Sequence, residues 1–157
     1  TLFLNTGIQG AASIFNHKMC EIIRQPLQFY AMHDHVLLLA GICFGEVHYL
    51  HQSLMFYRQH SNNLTGNAPG SIRKKIQLMW QNRNVPLVST KHYKGLAAFF
   101  EHWHAHIKED DKKIIEVFLG MPMIHVVARL KYVIKCRFKL FDSVTLLLIK
   151  MIVRKYM

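Results

Sequence analysis

The stretch AMHDHVLLLAGICFGEVHYLHQSLMFYRQHSNNLTG, residues 31–66, decides how this chain reads. A lone carboxylate, Asp34, stands before an apolar run, HVLLLAGICF. That run predicts a helix buried nearly all round, with Asp34 as its N-cap and Gly45 as its stop. EVHYL and SLMFYRQ follow, short, aromatic and apolar, with a polar break at His51-Gln52. They predict a hairpin or two adjacent strands. SNNLTGNAPG, residues 61–70, is loop chemistry, with Asn, Gly and Pro in quick succession. Acidic, basic and imidazole side chains thus fall at the ends of regular elements, where chemistry is usually mounted.

Outward from this block the pattern changes in character. IQGAASIFN, residues 8–16, predicts a buried strand entered through Gly7 and Gly10, and residues 17–24 a short helix stopped before Pro26. Beyond residue 70 everything predicts helix. Ser71 caps IRKKIQLMWQNRN, with Ile72, Ile76, Met79 and Trp80 on one face. Leu96, Phe100, Trp103 and Ile107 repeat that spacing, KEDDKK at 108–113 reads as a solvated charge run, and Gly120-Met121-Pro122 as a break. Residues 123–157 predict one or two basic amphipathic helices. The expected fold class is α/β: residues 1–66 as the end of an α/β catalytic domain, residues 67–157 as a helical extension.

With 157 residues, 51% of them hydrophobic, the chain can bury a real core and is not bulk disorder. Twenty Lys and Arg face nine carboxylates, a formal charge of +11, which implies an anionic partner. Only Glu21, Asp34 and Glu46 precede Glu101, so a carboxylate base early in the chain has few candidates. Cys20, Cys43 and Cys136 are dispersed, which argues against a disulfide framework or a zinc knuckle and suits a reducing cytosol. No apolar run reaches the roughly eighteen residues of a spanning helix; residues 144–153 are interrupted by Lys150. The start at Thr1 has no initiator Met and no polar lead-in, as expected of a piece of a longer protein.

His33-Asp34, the buried helix, and Tyr57-Arg58-Gln59-His60-Ser61-Asn62-Asn63 occur in an order and spacing that resembles the C-terminal half of the catalytic domain of family 2 glycosyltransferases, in particular the rhamnosyltransferase-like bacterial members. In that family a His-Asp pair opens a helix and a Tyr-Arg-Gln-His-x-Asn-Asn segment closes the site. The resemblance implies a GT-A fold whose nucleotide-binding half, with its Asp-x-Asp, lies upstream of Thr1, so that these 157 residues alone are inactive. It implies inverting transfer of a sugar from a nucleotide-sugar donor to a glycan or lipid-linked acceptor, in surface polysaccharide synthesis.

Such a transfer needs a base for the acceptor hydroxyl and positive charge on the leaving diphosphate. The resemblance makes Asp34 the base, with His33 beside it. It makes His60 a ligand of a divalent metal, Mn or Mg. It assigns Arg58, Gln59, Asn62 and Asn63 to the donor or its diphosphate, and Gln9, Gly10 and His35 to the acceptor side. Each residue also has a plainer reading: Asp34 as a cap, His60 as a strand-end histidine, Arg58 as a salt-bridge partner, Asn62 and Asn63 as turn formers. His35-Val36 stands where the family commonly has Trp-Trp, and His51-Gln52-Ser53 where it has Asp-Glu-Pro.

Two further features lie outside the motif. EHWHAH, residues 101–106, has His102 and His106 four apart, but alternate histidines on a helix diverge, so a solvated face is the better reading. The tail carries Arg129, Lys131, Lys135, Arg137, Lys139, Lys150, Arg154 and Lys155, with Asp142 as its one acid. It suits an interfacial helix on the anionic inner face of the cell membrane, or a helix packed on the missing catalytic half with its cations snorkelling. The competing functional class is therefore a non-catalytic basic module, or an inactive truncated relic. That module would bind membrane or nucleic acid, with nucleic acid the less expected partner, and the gathering of the basic residues in the helical tail counts against it.

Overall fold

A computed structural model describes residues 10–52, 54, 56, 80–140 and 143–157. Among these residues regular structure is helical, and the nearest thing to a strand is an isolated antiparallel bridge between Leu140 and Ser143. The expected α/β class is thereby corrected: the described residues form an all-helical fold with no sheet, not a GT-A fragment. Residues 10–12 form a 3₁₀ turn and 13–16 have no regular structure, where a buried strand was expected. Residues 46–52 are exposed without exception. A strand of the expected kind would alternate buried and exposed side chains and pair along its length. EVHYL neither alternates in burial nor forms a strand, though its aromatic and β-branched residues fit one. Its expected partner, SLMFYRQ, lies mostly outside the described residues.

Among the described residues six α-helices carry the fold. The first, α1 (His17–Ile23), is capped by Asn16, whose side chain accepts from Met19 N–H at 3.0 Å. The second, α2 (His33–Phe44), has Met32 in extended backbone as its N-cap, so Asp34 lies inside the first turn and not at the cap. There it still meets the positive end of the helix dipole. Gly45 ends α2 as expected, its N–H reaching Gly41 O at 3.0 Å. Of the helix expected from Ser71, residues 71–79 lie outside the described residues; Trp80 and Gln81 are helical and 82–84 turn. The boundary placed after Gly66 also lies outside them.

The third helix, α3 (Thr90–Trp103), buries Gly95, Leu96 and Phe99. Phe100 and Trp103 are half-buried, and Ile107 is buried beyond a 3₁₀ turn at His104–His106. The charge run opens α4 (Glu109–Gly120), whose first-turn acids Glu109, Asp110 and Asp111 suit its dipole. A 3₁₀ turn at Met121–Met123, with Pro122, leads to α5 (Val126–Lys135), and Ser143 caps α6 (Val144–Val153) by accepting from Leu146 N–H at 3.1 Å. The basic tail thus supplies two helices, which pack on each other.

One hydrophobic cluster joins α2 to the later helices, with Leu39, Leu96, Phe99, Ile115, Met121, Val133 and Leu147 all but fully enclosed. The last residues of the chain are tied into it. Leu87 and Val88 donate their N–H groups to the carbonyls of Lys155 and Tyr156 at 2.8 and 2.9 Å. Arg154 donates to the carbonyls of Val85 and Pro86 at 2.9 and 3.0 Å. The Tyr156 hydroxyl donates to Met121 Sδ at 3.2 Å, and the Arg129 guanidinium lies 4.7 Å from the Tyr156 ring centre. Arg129 also donates to the carbonyls of Met121 and Pro122 at 2.6 and 3.1 Å.

Helix α5 ends in a Schellman motif built without glycine. Phe138 N–H reaches Val133 O at 3.0 Å, Arg137 N–H reaches Ile134 O at 3.2 Å, and Val133 and Phe138 are both buried. Arg137 takes the left-handed position, with φ 52. That conformation costs an L-residue about 1–2 kcal/mol, part of which glycine would return as unfolded-chain entropy. Arg137→Gly is expected to raise stability by about 0.5–1 kcal/mol and Arg137→Val to lower it, both measured by urea unfolding.

Candidate functional site

The polar residues that chemistry could use gather at the N-terminal end of α2. Asp34 and His35 follow His33 on the first turn, and the apolar run behind them draws that turn under the rest of the fold. Asp34 is 6% exposed and His35 1%. Among the described residues they are the buried polar or charged ones. His33 stays at the surface, against Gly10: a β-carbon added at Gly10 would meet His33 Nε2 at 2.5 Å and Asp34 Cβ at 3.6 Å. Gly10, His33, Asp34 and His35 are therefore neighbours.

Helix α3 closes this cluster from the other side. The His92 ring stands edge-on to the His35 ring, centroids 5.1 Å apart. Gly95 lets the two segments approach: a β-carbon there would lie 3.1 Å from the backbone nitrogen of Ala31 and 3.7 Å from His35 Nδ1. At the far end Phe44 packs on Phe99 and Trp103, with centroids 6.2 and 5.2 Å apart. Since the start of α2 meets the start of α3 and the end meets the end, the two helices run in the same direction.

Four atoms of the cluster, Asp34 Oδ1, His35 Nδ1, His35 Nε2 and His92 Nδ1, are enclosed with no hydrogen-bond partner. Each such atom costs about 1–3 kcal/mol, so their concentration at one contact is not neutral packing. Burial, aided by the nearby His92, pushes His35 down to about 4, while Asp34 works in the opposite direction. His35 is therefore neutral at pH 7 and cannot act there as a cation toward a diphosphate. The expected base, Asp34, lies beneath protein rather than on an open face.

Other expected site residues fall elsewhere. Gln9, Arg58, Gln59, His60, Asn62 and Asn63 lie outside the described residues. His102, His104 and His106 are exposed, and the helix gives way to a 3₁₀ turn after Trp103, so His102 and His106 do not share a regular helical face. Among the described residues no three His, Cys, Asp or Glu side chains converge to hold a metal ion, and His60, the ligand that the resemblance implies, lies outside them. The partner that sequence reasoning missed is His92. It lies three and four residues before Gly95 and Leu96, and that spacing on the buried face of α3 was the available signal.

Cys43, also on α2, is buried, and its thiol is pushed up to about 11, mainly by burial and further by Asp111. It is inert as a nucleophile while α2 is in place. No protein-family model, curated protein or solved structure matches this chain.

The glycine at the helix contact gives a direct check. Gly95→Val should lower stability by about 1–3 kcal/mol, because the added atoms meet the Ala31 backbone. Gly120→Ala, with open space around the new β-carbon, should instead raise it by about 0.5–1 kcal/mol. Chemical denaturation of the two variants beside the parent chain compares them.

Proposed function

We propose that this chain is a basic helical module that docks on anionic membrane surfaces through the α5–α6 pair. The observation that carries this reading is an exposed mixture of aliphatic and cationic side chains on those helices. On α5, Val127 is 53% exposed and Ile134 60%, with Lys131 and Lys135 exposed among them. On α6, Ile149 is 43% exposed and Ile152 68%, at the spacing of one helical stripe, with Lys155 exposed just beyond. Met123 and Arg137 extend the same composition at the ends of α5. After Glu116 the sequence contains one acid, Asp142.

The two halves of this surface need each other. Cations near an anionic leaflet contribute about 1 kcal/mol apiece. A few aliphatic side chains entering the headgroup boundary add a term of similar size, and neither alone gives stable attachment. Arg129 and Arg154 are turned to backbone carbonyls of their own chain, which leaves Lys131, Lys135, Arg137 and Lys155 to face the lipid. The exposed apolar side chains are mainly aliphatic, with Tyr132 of α5 the one ring among them, which favours lipid over nucleic acid, whose bases would be met by several stacking rings. Among the described residues no helix is long and apolar enough to cross a membrane. Sugar transfer rests on the residues quoted from Ala31 to Gly66, and the sheet it would need is not among the described residues. A docking module needs no sheet.

Vesicle flotation tests the reading. Phosphatidylcholine vesicles containing phosphatidylserine should carry the protein, pure phosphatidylcholine should not, and added salt should release it. Lys131→Gln with Lys135→Gln should weaken binding by roughly 30-fold, from about 1 kcal/mol per charge. Ile149→Glu with Ile152→Glu should abolish it. Equal binding to neutral vesicles, or full binding by the double-glutamate variant, would end the proposal. Tighter binding to duplex nucleic acid than to any vesicle would move the assignment there.

A further inference from the structure

The contact between His35 and His92 has no role in the lipid-facing surface, yet it places imidazoles where an apolar pair would be more stable. His35 is all but fully enclosed, both of its ring nitrogens lack a partner, and His92 Nδ1 does too. A proton added to His35 would create a buried cation with an imidazole edge-on beside it. The groups around it are few. Asp34, on the same helix, is the one acid that acts on it, and His92 comes from α3. Lys91 and Lys94 of α3 are exposed, as are His17, Lys18 and Glu21 of α1, the other helix packed on α2.

We propose that the His35–His92 contact is an acid-labile lock: neutral His35 holds α2 on α3, and its protonation releases α2 and uncovers the face carrying Leu39 and Cys43. The sign follows from the direction of the shift. Folded His35 sits at about 4, below its ordinary 6.5. The closed state is therefore fully favoured above the ordinary value and loses that advantage as pH falls from 6.5 toward 4. For one such group the opening equilibrium rises roughly 20-fold between about pH 7 and pH 5. Phe44 against Phe99 and Trp103 contains no titrating group, so the driving force arises at the end of the interface that holds the histidines, and α2, leaving as one helix, carries its far end and Cys43 with it.

Cys43 reports the release, because its thiol is covered while α2 is seated. Dipyridyl disulfide, which reacts with thiols in acid, is added across the pH range, and labelling at Cys43 is read by peptide mass with a model thiol as reference. The corrected rate should rise roughly 20-fold from about pH 7 to pH 5, with helix content unchanged by circular dichroism. His35→Phe should flatten the profile. A wild-type rate that does not change with pH, or a His35→Phe rate that climbs as steeply as the parent, would overturn the lock. Should that variant not fold, the ring-proton titration of His35 in the parent chain decides: a midpoint near the ordinary histidine value sinks the proposal, and one well below it sustains it.

Discussion

Helix α2 has no polar side to give to water. Val36, Leu38, Leu39, Ala40, Gly41 and Cys43 are buried around its circumference, so it must be covered on more than one face. That demand organises what surrounds it. Helix α1 packs on one side, α3 on another, and the cluster continues through Ile115 and Phe118 of α4 to the tail helices. It also explains why an aspartate and a histidine lie in the core at all. A first turn continuous with such a helix is drawn inward with it, and its polar atoms lose their water whether or not the chain replaces it.

Much of the helical layout was legible because its signals are local and strong. Pro26, Gly45 and the Gly120-Met121-Pro122 break stop helices where backbone chemistry says they must. The period of Leu96, Phe100 and Trp103 is that of a helix with one buried face, and the KEDDKK run sits where a helix dipole welcomes acids. The expected strands failed for an equally physical reason. IQGAASIFN and EVHYL are short apolar runs, and over so few residues the period cannot separate a strand from a turn or an uncovered segment. A strand exists through its partner, and the partner is a long-range fact. Asp34 likewise read as a cap because caps are local, whereas its burial depends on neighbours distant in sequence, Gly10 among them. His92 belonged in the site for a reason spread over two helices about sixty residues apart, which no single window contains.

Charge is divided as sharply as hydrophobicity. The acids cluster at the start of α4, where Lys112 and Lys113 meet Glu109 and Asp110 on the same helix at 2.6 and 3.8 Å. The tail is left with cations and almost no acids to neutralise them. Two of its arginines are spent on structure: Arg129 binds the turn at Met121, and Arg154 binds the carbonyls before α3. Internal pairing therefore satisfies the middle of the chain, while the exposed lysines of the tail keep their charge for something outside it. The tail serves two ends at once, closing the core with Leu147, Met151 and Tyr156 and presenting the opposite sides of its helices outward.

The shared direction of α2 and α3 has a consequence for how the molecule assembles. Antiparallel helices can be joined by a few residues, but two that point the same way require the chain to travel back along the first before the second can begin. With twelve residues in α2, that return is about 18 Å. The contact between them thus closes a long loop, while α5 and α6 are separated by a short turn and meet early. Loop-closure entropy alone therefore weighs more on the histidine contact than on the tail pair. The part of the core that carries buried polar atoms is then also the part whose closure costs the most chain entropy, and until it closes the apolar surface of α2 lies open to other chains.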